Sequence, residues 1–137
     1  RTGAGGAAVK RAGVLNAELA MALATLGHTD TIVIGDCGLP RPDGVRTIDL
    51  ALVAGIPSFA DVLRVVADEL VIEAALIASE AYERNPEVAD LVRSIVPAPE
   101  AVPHEEFKRR CAATRLFIRT GEATPYANVI LRCGVPF

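Results

Sequence analysis

One hydrophobic segment with a break on either side constrains this chain most: it is the run LGHTDTIVIGDCGLP, residues 26–40. Gly27 can end a preceding helix, and Gly38 with Pro40 can turn the chain away after the segment. Residues 31–36, which lie between these breaks, are long enough for a strand, in which successive side chains point to opposite faces. The sequence therefore predicts a strand that begins directly after a helix.

The rest of the chain repeats this alternation of helix and strand. The segment 70–79 fits either type, with strand favoured for its first half, and residues 97–103 are predicted to be a linker. Alternation without internal repeats predicts an α/β fold, a single three-layer domain with a central, possibly mixed β-sheet flanked by helices. We expect this domain over residues 13–137, and residues 1–12 as a disordered extension or tag remnant. Helices are predicted to begin at Asn16, Ser58, Asn85–Pro86 and His104, and further strands to cover 45–50, 116–119 and 127–133.

Composition excludes several classes of function. The net charge of −3, with scattered basic residues and only 4% aromatic residues, gives no surface suited to nucleic acid. The most apolar region, 62–78, contains four charged residues, so we expect no membrane span. Three widely spaced cysteines predict neither a disulfide framework nor a zinc site, and favour the cytoplasm. With 51% hydrophobic residues, the chain is expected to self-associate.

His28 and Asp36 flank the predicted strand and are the first candidates for chemistry. Imidazole suits proton transfer near neutral pH, and a carboxylate at the end of a strand lies where ligands bind in open α/β sheets. Each residue also has an ordinary explanation, His28 as a residue that follows a helix and Asp36 as a turn residue. The functional interpretation depends on taking the two together.

Two later segments carry further candidates. His104 begins a helix, and Lys108 lies one turn later on the same face. Tyr126 and Asn128 are two residues apart, so they share a face if the chain is extended, and a phenol beside a carboxamide can bind sugar hydroxyls. A plain helix start and a plain strand entry remain the alternatives, and the role of Glu122 stays open. Neither segment contains a metal-ligand motif, so we expect no metal.

Five blocks of the sequence, in order, match a known family. They are LGHTDTIVIGDCGLP, TIDLAL followed by GIPSF, VIEAALIASE, HEEFK, and the C-terminal GEATPYANVIL with CGV. Together they resemble the D-ribose pyranase branch of the ribose and fucose mutarotase family, over nearly all of residues 13–137. Gly38 and Leu39 stand where the fucose branch tends to have a histidine and an aromatic residue, which favours ribose.

This resemblance implies an isomerase without a cofactor that interconverts the β-pyranose and β-furanose forms of D-ribose. It implies that His28 is the proton donor and that the sugar is bound at Asp36, His104, Lys108, Tyr126, Ala127 and Asn128, with Ala127 acting through its backbone. It also implies a ring-shaped homo-oligomer, typically a decamer of two pentamers, with sites at subunit contacts.

The residues suit that chemistry, because opening and reclosing a sugar ring needs one acid/base group and several groups that hold hydroxyls. We hypothesise that His28 protonates the ring oxygen, that Asp36 and Asn128 hold hydroxyls, and that His104 and Tyr126 orient the anomeric end. The alternatives are a mutarotase for another sugar such as L-fucose, a non-catalytic sugar-binding protein, and an oligomeric scaffold with a vestigial pocket.

Overall fold

The computed structural model describes residues 9–137, which form one six-stranded sheet with helices on both faces. The predicted α/β class with a central mixed sheet is confirmed. The helices are α1 (Ala17–Ala24), α2 (Phe59–Glu69), α3 (Ala81–Arg84), α4 (Pro86–Ile95) and α5 (His104–Cys111), and the strands are β1 (Thr31–Gly35), β2 (Arg46–Asp49), β3 (Ile72–Ala78), β4 (Glu100–Val102), β5 (Leu116–Arg119) and β6 (Val129–Cys133).

Four of the five helices, all except α3, start where the sequence predicts. The Asn16 side chain accepts a hydrogen bond from the backbone N–H of Leu19 at 2.9 Å, and the Ser58 hydroxyl accepts one from Asp61 at 3.1 Å. Each bond satisfies one of the backbone donors that a helix leaves unpaired at its N-terminus. Pro86 occupies the first residue of α4, where its missing N–H costs nothing.

The strand order is β2-β5-β1-β6-β3-β4. β1, β2 and β5 run parallel to one another, as do β3 and β4, and β6 runs antiparallel to its two neighbours β1 and β3. Five strands therefore point the same way and β6 alone points the other way. The carboxyl ends of the five parallel strands and the start of β6 meet at one edge of the sheet, which we call the carboxyl edge. Their amino ends and the end of β6 form the opposite edge, the amino edge.

Two hydrophobic clusters cover the two faces of this sheet, as a three-layer architecture requires. The larger cluster packs α1, α2 and α4 against one face, with Phe59 and Leu63 among its fully buried side chains. The smaller cluster packs α5 against the other face, through Phe107 and Cys111. No helix of the described residues is long and apolar enough to cross a membrane.

Four local predictions need correction. Residues 97–103 are not only a linker, because Glu100–Val102 pair in parallel with β3 as the edge strand β4. The segment that fitted either type is a strand from Ile72 to Ala78, including its alanine-rich second half, because those residues are buried between helices and sheet neighbours. The short helix Ala81–Arg84 was not predicted from the sequence. α1 ends at Ala24, three residues before the predicted stop at Gly27. The proposed extension, residues 1–12, lies mostly outside the described residues.

Candidate active site

The carboxyl edge brings Asp36 and Asn128 together. Asp36 follows β1 and Asn128 precedes β6, and these strands are antiparallel neighbours. The backbone N–H of Asp36 donates to Oδ1 of Asn128 at 2.8 Å, and Asn128 is 0% exposed. The backbone of Asp36 therefore fixes the Asn128 carboxamide beside it.

The Asp36 carboxyl group lies in a partly buried position. Its Oδ1 accepts the backbone N–H of Gly38 at 3.0 Å. Burial raises the pKa of Asp36 above its ordinary value, because it penalises the charged form more than the nearby hydrogen-bond donors and His104 favour it. Hydrogen bonds donated by the hydroxyl groups of a ligand would stabilise the charged form of this carboxyl group.

His104 and Tyr126 form the second pair at this edge. The His104 ring meets the Tyr126 ring edge-on, with centroids 5.1 Å apart and an interplanar angle of 86°. The backbone N–H of His104, at the first residue of α5, donates to both carboxylate oxygens of Glu80, at 3.0 and 3.2 Å. Because Glu80 follows β3, the helix start is tied to the sheet at the carboxyl edge.

The loop that carries Tyr126 is held in an unusual conformation. Tyr126 has φ +59°, a left-handed conformation that a bulky residue adopts only where its surroundings enforce it. Nδ2 of Asn85 donates to the hydroxyl of Thr124 and to the carbonyl of Pro125, at 2.9 and 2.8 Å. Asn85 therefore fixes the loop directly before the strained residue.

Two buried polar atoms at this edge lack a hydrogen-bond partner among residues 9–137: Nδ1 of His104 and Nδ2 of Asn128. Nδ2 of Asn128 lies near enough to the Asp36 carboxyl group to favour its charged form, but not in hydrogen-bond geometry with any acceptor there. Buried polar groups are nearly always paired in folded proteins, and leaving one unpaired costs free energy. Both atoms are therefore suited to binding hydroxyl groups of a ligand.

The other predicted residues near this edge differ in their surroundings. Ala127 is fully buried between Tyr126 and Asn128. Lys108 forms an ion pair with Glu105 at 2.8 Å, one turn of α5 beyond His104. Glu122, which the sequence left open, joins other loops: Oε1 accepts the N–H of Phe59 at 2.9 Å and Oε2 accepts the Thr124 hydroxyl at 2.8 Å.

His28 lies at the amino edge, apart from all these residues. Its loop precedes β1, whereas Asp36 follows the same strand. At a rise of about 3.3 Å per residue, the ends of this segment at Asp30 and Asp36 are about 20 Å apart, much more than a monosaccharide spans. Nε2 of His28 lies 3.4 Å from Oε2 of Glu73, and 52% of the His28 side chain is exposed. One chain by itself does not bring His28 to the carboxyl edge.

Sequence reasoning missed the supporting residues Glu73, Glu80 and Asn85. Their roles depend on contacts between segments 24 to 59 residues apart, and nothing in their local patterns indicates those contacts. The β-strand that carries Glu73 and the helix cap at Asn85 were predicted, but not what their side chains bind. Within the described part of the chain, no three His, Cys, Asp or Glu side chains gather as a metal site.

Comparison with known proteins defines the family. The model of the RbsD / FucU transport protein family matches residues 9–136. The chain belongs to this family. It is 59% identical over 131 residues to the D-ribose pyranase of Bacillus mycoides strain KBAB4, and 56% identical over 129 residues to D-ribose pyranase 2 of Streptomyces griseus subsp. griseus. Both matches cover 94% of this chain and 100% of the relative.

Solved structures agree with this assignment. Bacillus subtilis RbsD complexed with D-ribose superposes with a TM-score of 0.89 at 47% identity, covering 94% of this chain and 100% of that chain. The fucose mutarotase of Streptococcus pneumoniae, in complex with L-fucose, has a TM-score of 0.74 at 20% identity, covering 88% of this chain and 93% of that one. The second likeness shows the fold alone.

Proposed function

We propose that this protein is a D-ribose pyranase, an isomerase that interconverts the pyranose and furanose forms of D-ribose without a cofactor. The observation that carries the proposal is the cluster at the carboxyl edge, in which Asp36 and Asn128 are locked together and two buried polar atoms are left for a ligand. The relatives named D-ribose pyranase, matched over their whole length, support it.

The chemistry needs protons to move in a defined order. In our mechanism His28, as an imidazolium, gives a proton to the ring oxygen while the bond from that oxygen to the anomeric carbon breaks. The anomeric hydroxyl gives its proton to the acceptor that holds it, and an open aldehyde forms. A different hydroxyl then attacks the aldehyde carbon, its proton returns to His28, and the acceptor returns its proton to the anomeric oxygen. No proton is gained or lost overall, because His28 and the acceptor at the anomeric hydroxyl both return to their starting protonation states at the end of the cycle.

The carboxyl edge supplies the groups that hold the sugar during these steps. Asp36 and Nδ2 of Asn128 are assigned to hydroxyl groups, and His104 with Tyr126 to the anomeric end. Ala127 is assigned a backbone contact, and Lys108 a place at the rim of the site. Two of these groups have opposite hydrogen-bonding roles: Asp36 when ionised can only accept hydrogen bonds, and Nδ2 of Asn128 can only donate them. Together they can bind one hydroxyl from both sides.

We further propose that the site is completed between two copies of the chain, with His28 of one copy facing the carboxyl edge of another. The separation of the two edges by the length of β1 supports this arrangement. Exposed apolar side chains, among them Leu52, Val53 and Ile56 in one loop, give a surface that self-association would bury. A closed ring, such as the decamer of two pentamers, repeats one such contact at every subunit. We place the reaction in the cytoplasm, since the described cysteines are free thiols.

Saturation-transfer NMR on D-ribose tests the reaction directly. The wild-type protein is expected to speed exchange between pyranose and furanose signals, and His28→Ala to slow the catalysed exchange by about 10²- to 10⁴-fold, the usual contribution of a general acid/base. Binding of ribose, followed by titration calorimetry, should change little. Exchange at the wild-type rate in His28→Ala would remove His28 from the mechanism.

The same assay separates the alternatives. A mutarotase for another sugar would exchange the anomers of L-fucose faster than the forms of ribose. A non-catalytic binding protein would show ribose affinity with no acceleration in the wild-type chain, and a vestigial scaffold would show neither. Any of these three results would overturn the proposed function.

A further inference from the structure

An irregularity in the sheet lies beside His28. In the pairing of β3 with β6, Ile72 is opposite Cys133 and Ala74 is opposite Arg132, so Glu73 is an extra residue without a partner of its own. Such a β-bulge changes the direction of side chains and often occurs next to active sites. Here it belongs to the amino edge, at the end of the sheet from which His28 extends.

The carboxylate of this bulged residue joins two cationic or potentially cationic groups. Oε2 of Glu73 lies 3.4 Å from Nε2 of His28, and Oε1 accepts a hydrogen bond from Nε of Arg132 at 3.0 Å. Each oxygen thus has its own partner. Arg132 can hold the carboxylate in place while the second oxygen faces the imidazole.

The backbone around His28 is also fixed. The N–H of Thr29 donates to the carbonyl of Cys133 at 2.9 Å, and the N–H of Gly27 donates to Oδ2 of Asp30 at 2.8 Å. Thr29 has φ +71°, which is unusual for a β-branched residue. The loop is therefore held on both sides of His28, and the orientation of the imidazole ring is left to its side-chain contact.

We propose that Glu73 is a positioning residue for His28: its carboxylate, which Arg132 fixes, accepts a hydrogen bond from Nε2–H of His28, and Nδ1 of His28 is the atom that exchanges protons with the sugar. This inference rests on the proposed function. An ionised carboxylate only accepts hydrogen bonds, so Nε2 keeps its proton whether the ring is neutral or cationic. Only Nδ1 then gains and loses a proton in the reaction cycle. The same tautomer of His28 therefore serves both ring opening and ring closure.

The alternative is an ordinary surface ion pair. The His28 and Glu73 side chains are 52% and 34% exposed, and such pairs contribute little to stability. The two interpretations therefore differ in what they expect from Glu73→Ala. A surface pair predicts an unchanged rate, whereas a positioning role predicts a loss of rate at an unchanged melting temperature.

Steady-state exchange measurements test the role. In Glu73→Ala we expect kcat to fall about 10-fold or more, by analogy with the loss of carboxylates that orient metal-bound histidines, with KM for ribose within twofold of wild type. Glu87→Ala, which removes an exposed carboxylate in the first turn of α4, is the matched control and should leave both constants unchanged. In a His28→Ala background, Glu73→Ala should add no further loss. An unchanged kcat, or a further loss without His28, would overturn the proposal.

NMR of the imidazole nitrogens tests the same contact without ribose. The chain has only two histidines, so His28→Ala assigns the signals. We expect Nε2 of His28 to carry the proton in the neutral wild-type ring, and its proton to exchange with water faster in Glu73→Ala. A proton on Nδ1 instead would overturn the proposal even in an active enzyme. A wild type that does not exchange ribose would overturn the proposed function, while the nitrogen signals would still show whether Glu73 orients the ring.

Discussion

The two edges of the sheet are built in opposite ways. At the carboxyl edge, Asn128 is fully buried and hydrogen-bonded to the backbone of Asp36, and polar atoms are left unpaired for a ligand. At the amino edge, His28 is half-exposed and its polar neighbours are ion pairs at the surface. Groups that recognise a sugar need fixed positions in a partly desolvated place. The proposed role of His28, as a proton donor to another copy of the chain, requires a side chain that projects outwards, and 52% of the His28 side chain is exposed.

The edges nevertheless share one property. Among the described residues, the non-glycine positions with positive φ are Thr29 and Tyr126, one beside His28 and one at the ring that meets His104. Backbone strain of this kind persists only where surrounding contacts enforce it, and it is common at functional sites. β6 links the two, because Asn128 precedes it and Arg132 lies near its end. One antiparallel strand thus connects Asn128, the proposed sugar-binding residue at one edge, with Arg132, the hydrogen-bond partner of Glu73 at the other.

The largest effect should come from mixing two variants, each of which lacks a group at one edge and exchanges ribose slowly by itself. His28→Ala has an intact carboxyl edge and Asn128→Ala an intact amino edge, so a mixed assembly can contain complete sites between copies. A complete site needs a chain with His28 on one side and a chain with Asn128 on the other. Random mixing at equal amounts would complete about a quarter of the sites and restore about a quarter of wild-type exchange.

The measurement is NMR exchange after the two variants are unfolded and refolded together, with each refolded alone as the control. Activity that stays at the level of the separate variants would mean that one chain contributes the whole site, and the contrast between the edges would lose its functional meaning.

The second largest effect should come from Asn128→Ala, which affects both stability and the binding of ribose. Asn128→Ala leaves the N–H of Asp36 without its acceptor, and we expect the free energy of unfolding to fall by about 1–3 kcal/mol, the usual cost of an unpaired, partly buried donor. It also removes a hydroxyl ligand, so KM for ribose should rise. His28→Ala should leave both stability and KM nearly unchanged, because its side chain is exposed. Thermal unfolding and titration calorimetry on both variants measure these effects. Equal losses of stability and ribose affinity in the two variants would contradict the contrast between the two edges.

Much of this fold was predictable from local chemistry. The caps at Asn16 and Ser58 and the proline at the start of α4 are signals carried by one or two residues, and they place helices correctly. β4 could not be predicted in this way, because three residues of mixed polarity form a strand only when β3 offers them an edge.

The same distinction between local signals and tertiary contacts applies to the candidate site. The residues of the carboxyl edge were predicted from side-chain chemistry and family resemblance, but the tertiary contacts of Glu73, Glu80 and Asn85 were not. The sequence also suggested that His28 and Asp36 act together because they flank one short strand, eight positions apart. That spacing, extended along a strand, is what places them at opposite edges.

A smaller effect links stability to pH at the carboxyl edge. The raised pKa of Asp36 means that the folded protein binds this proton more tightly than the unfolded chain does. The ionised carboxylate therefore costs stability at pH values above the folded pKa, and this cost disappears as the pH falls towards the unfolded pKa. Asp36→Asn should raise the melting temperature at pH 7, lower ribose affinity, and flatten the pH dependence of stability between those two pKa values. A lower melting temperature would show that the charge is stabilised in the fold.

The smallest effect should come from relaxing the strained residue beside His28. A left-handed conformation costs a non-glycine residue about 1–2 kcal/mol, while glycine loses about 0.5–1 kcal/mol more backbone entropy on folding. Thr29→Gly should therefore leave the free energy of unfolding unchanged or raise it by at most about 1.5 kcal/mol. Thr25→Gly, at a helix end with φ −89°, relieves no strain and should only destabilise the protein.

The rate of ribose exchange is the more informative measurement in these variants. A glycine at position 29 allows the His28 loop more conformations, so kcat should fall a few-fold at constant KM, and Thr25→Gly should leave kcat unchanged. If the strain at Thr29 orients His28, the rate will fall although stability does not. If kcat is unchanged in Thr29→Gly, then the contacts of Glu73 and Cys133 alone suffice to hold the proton donor, and the strain at the amino edge is a consequence of the sheet pairing rather than a part of the site.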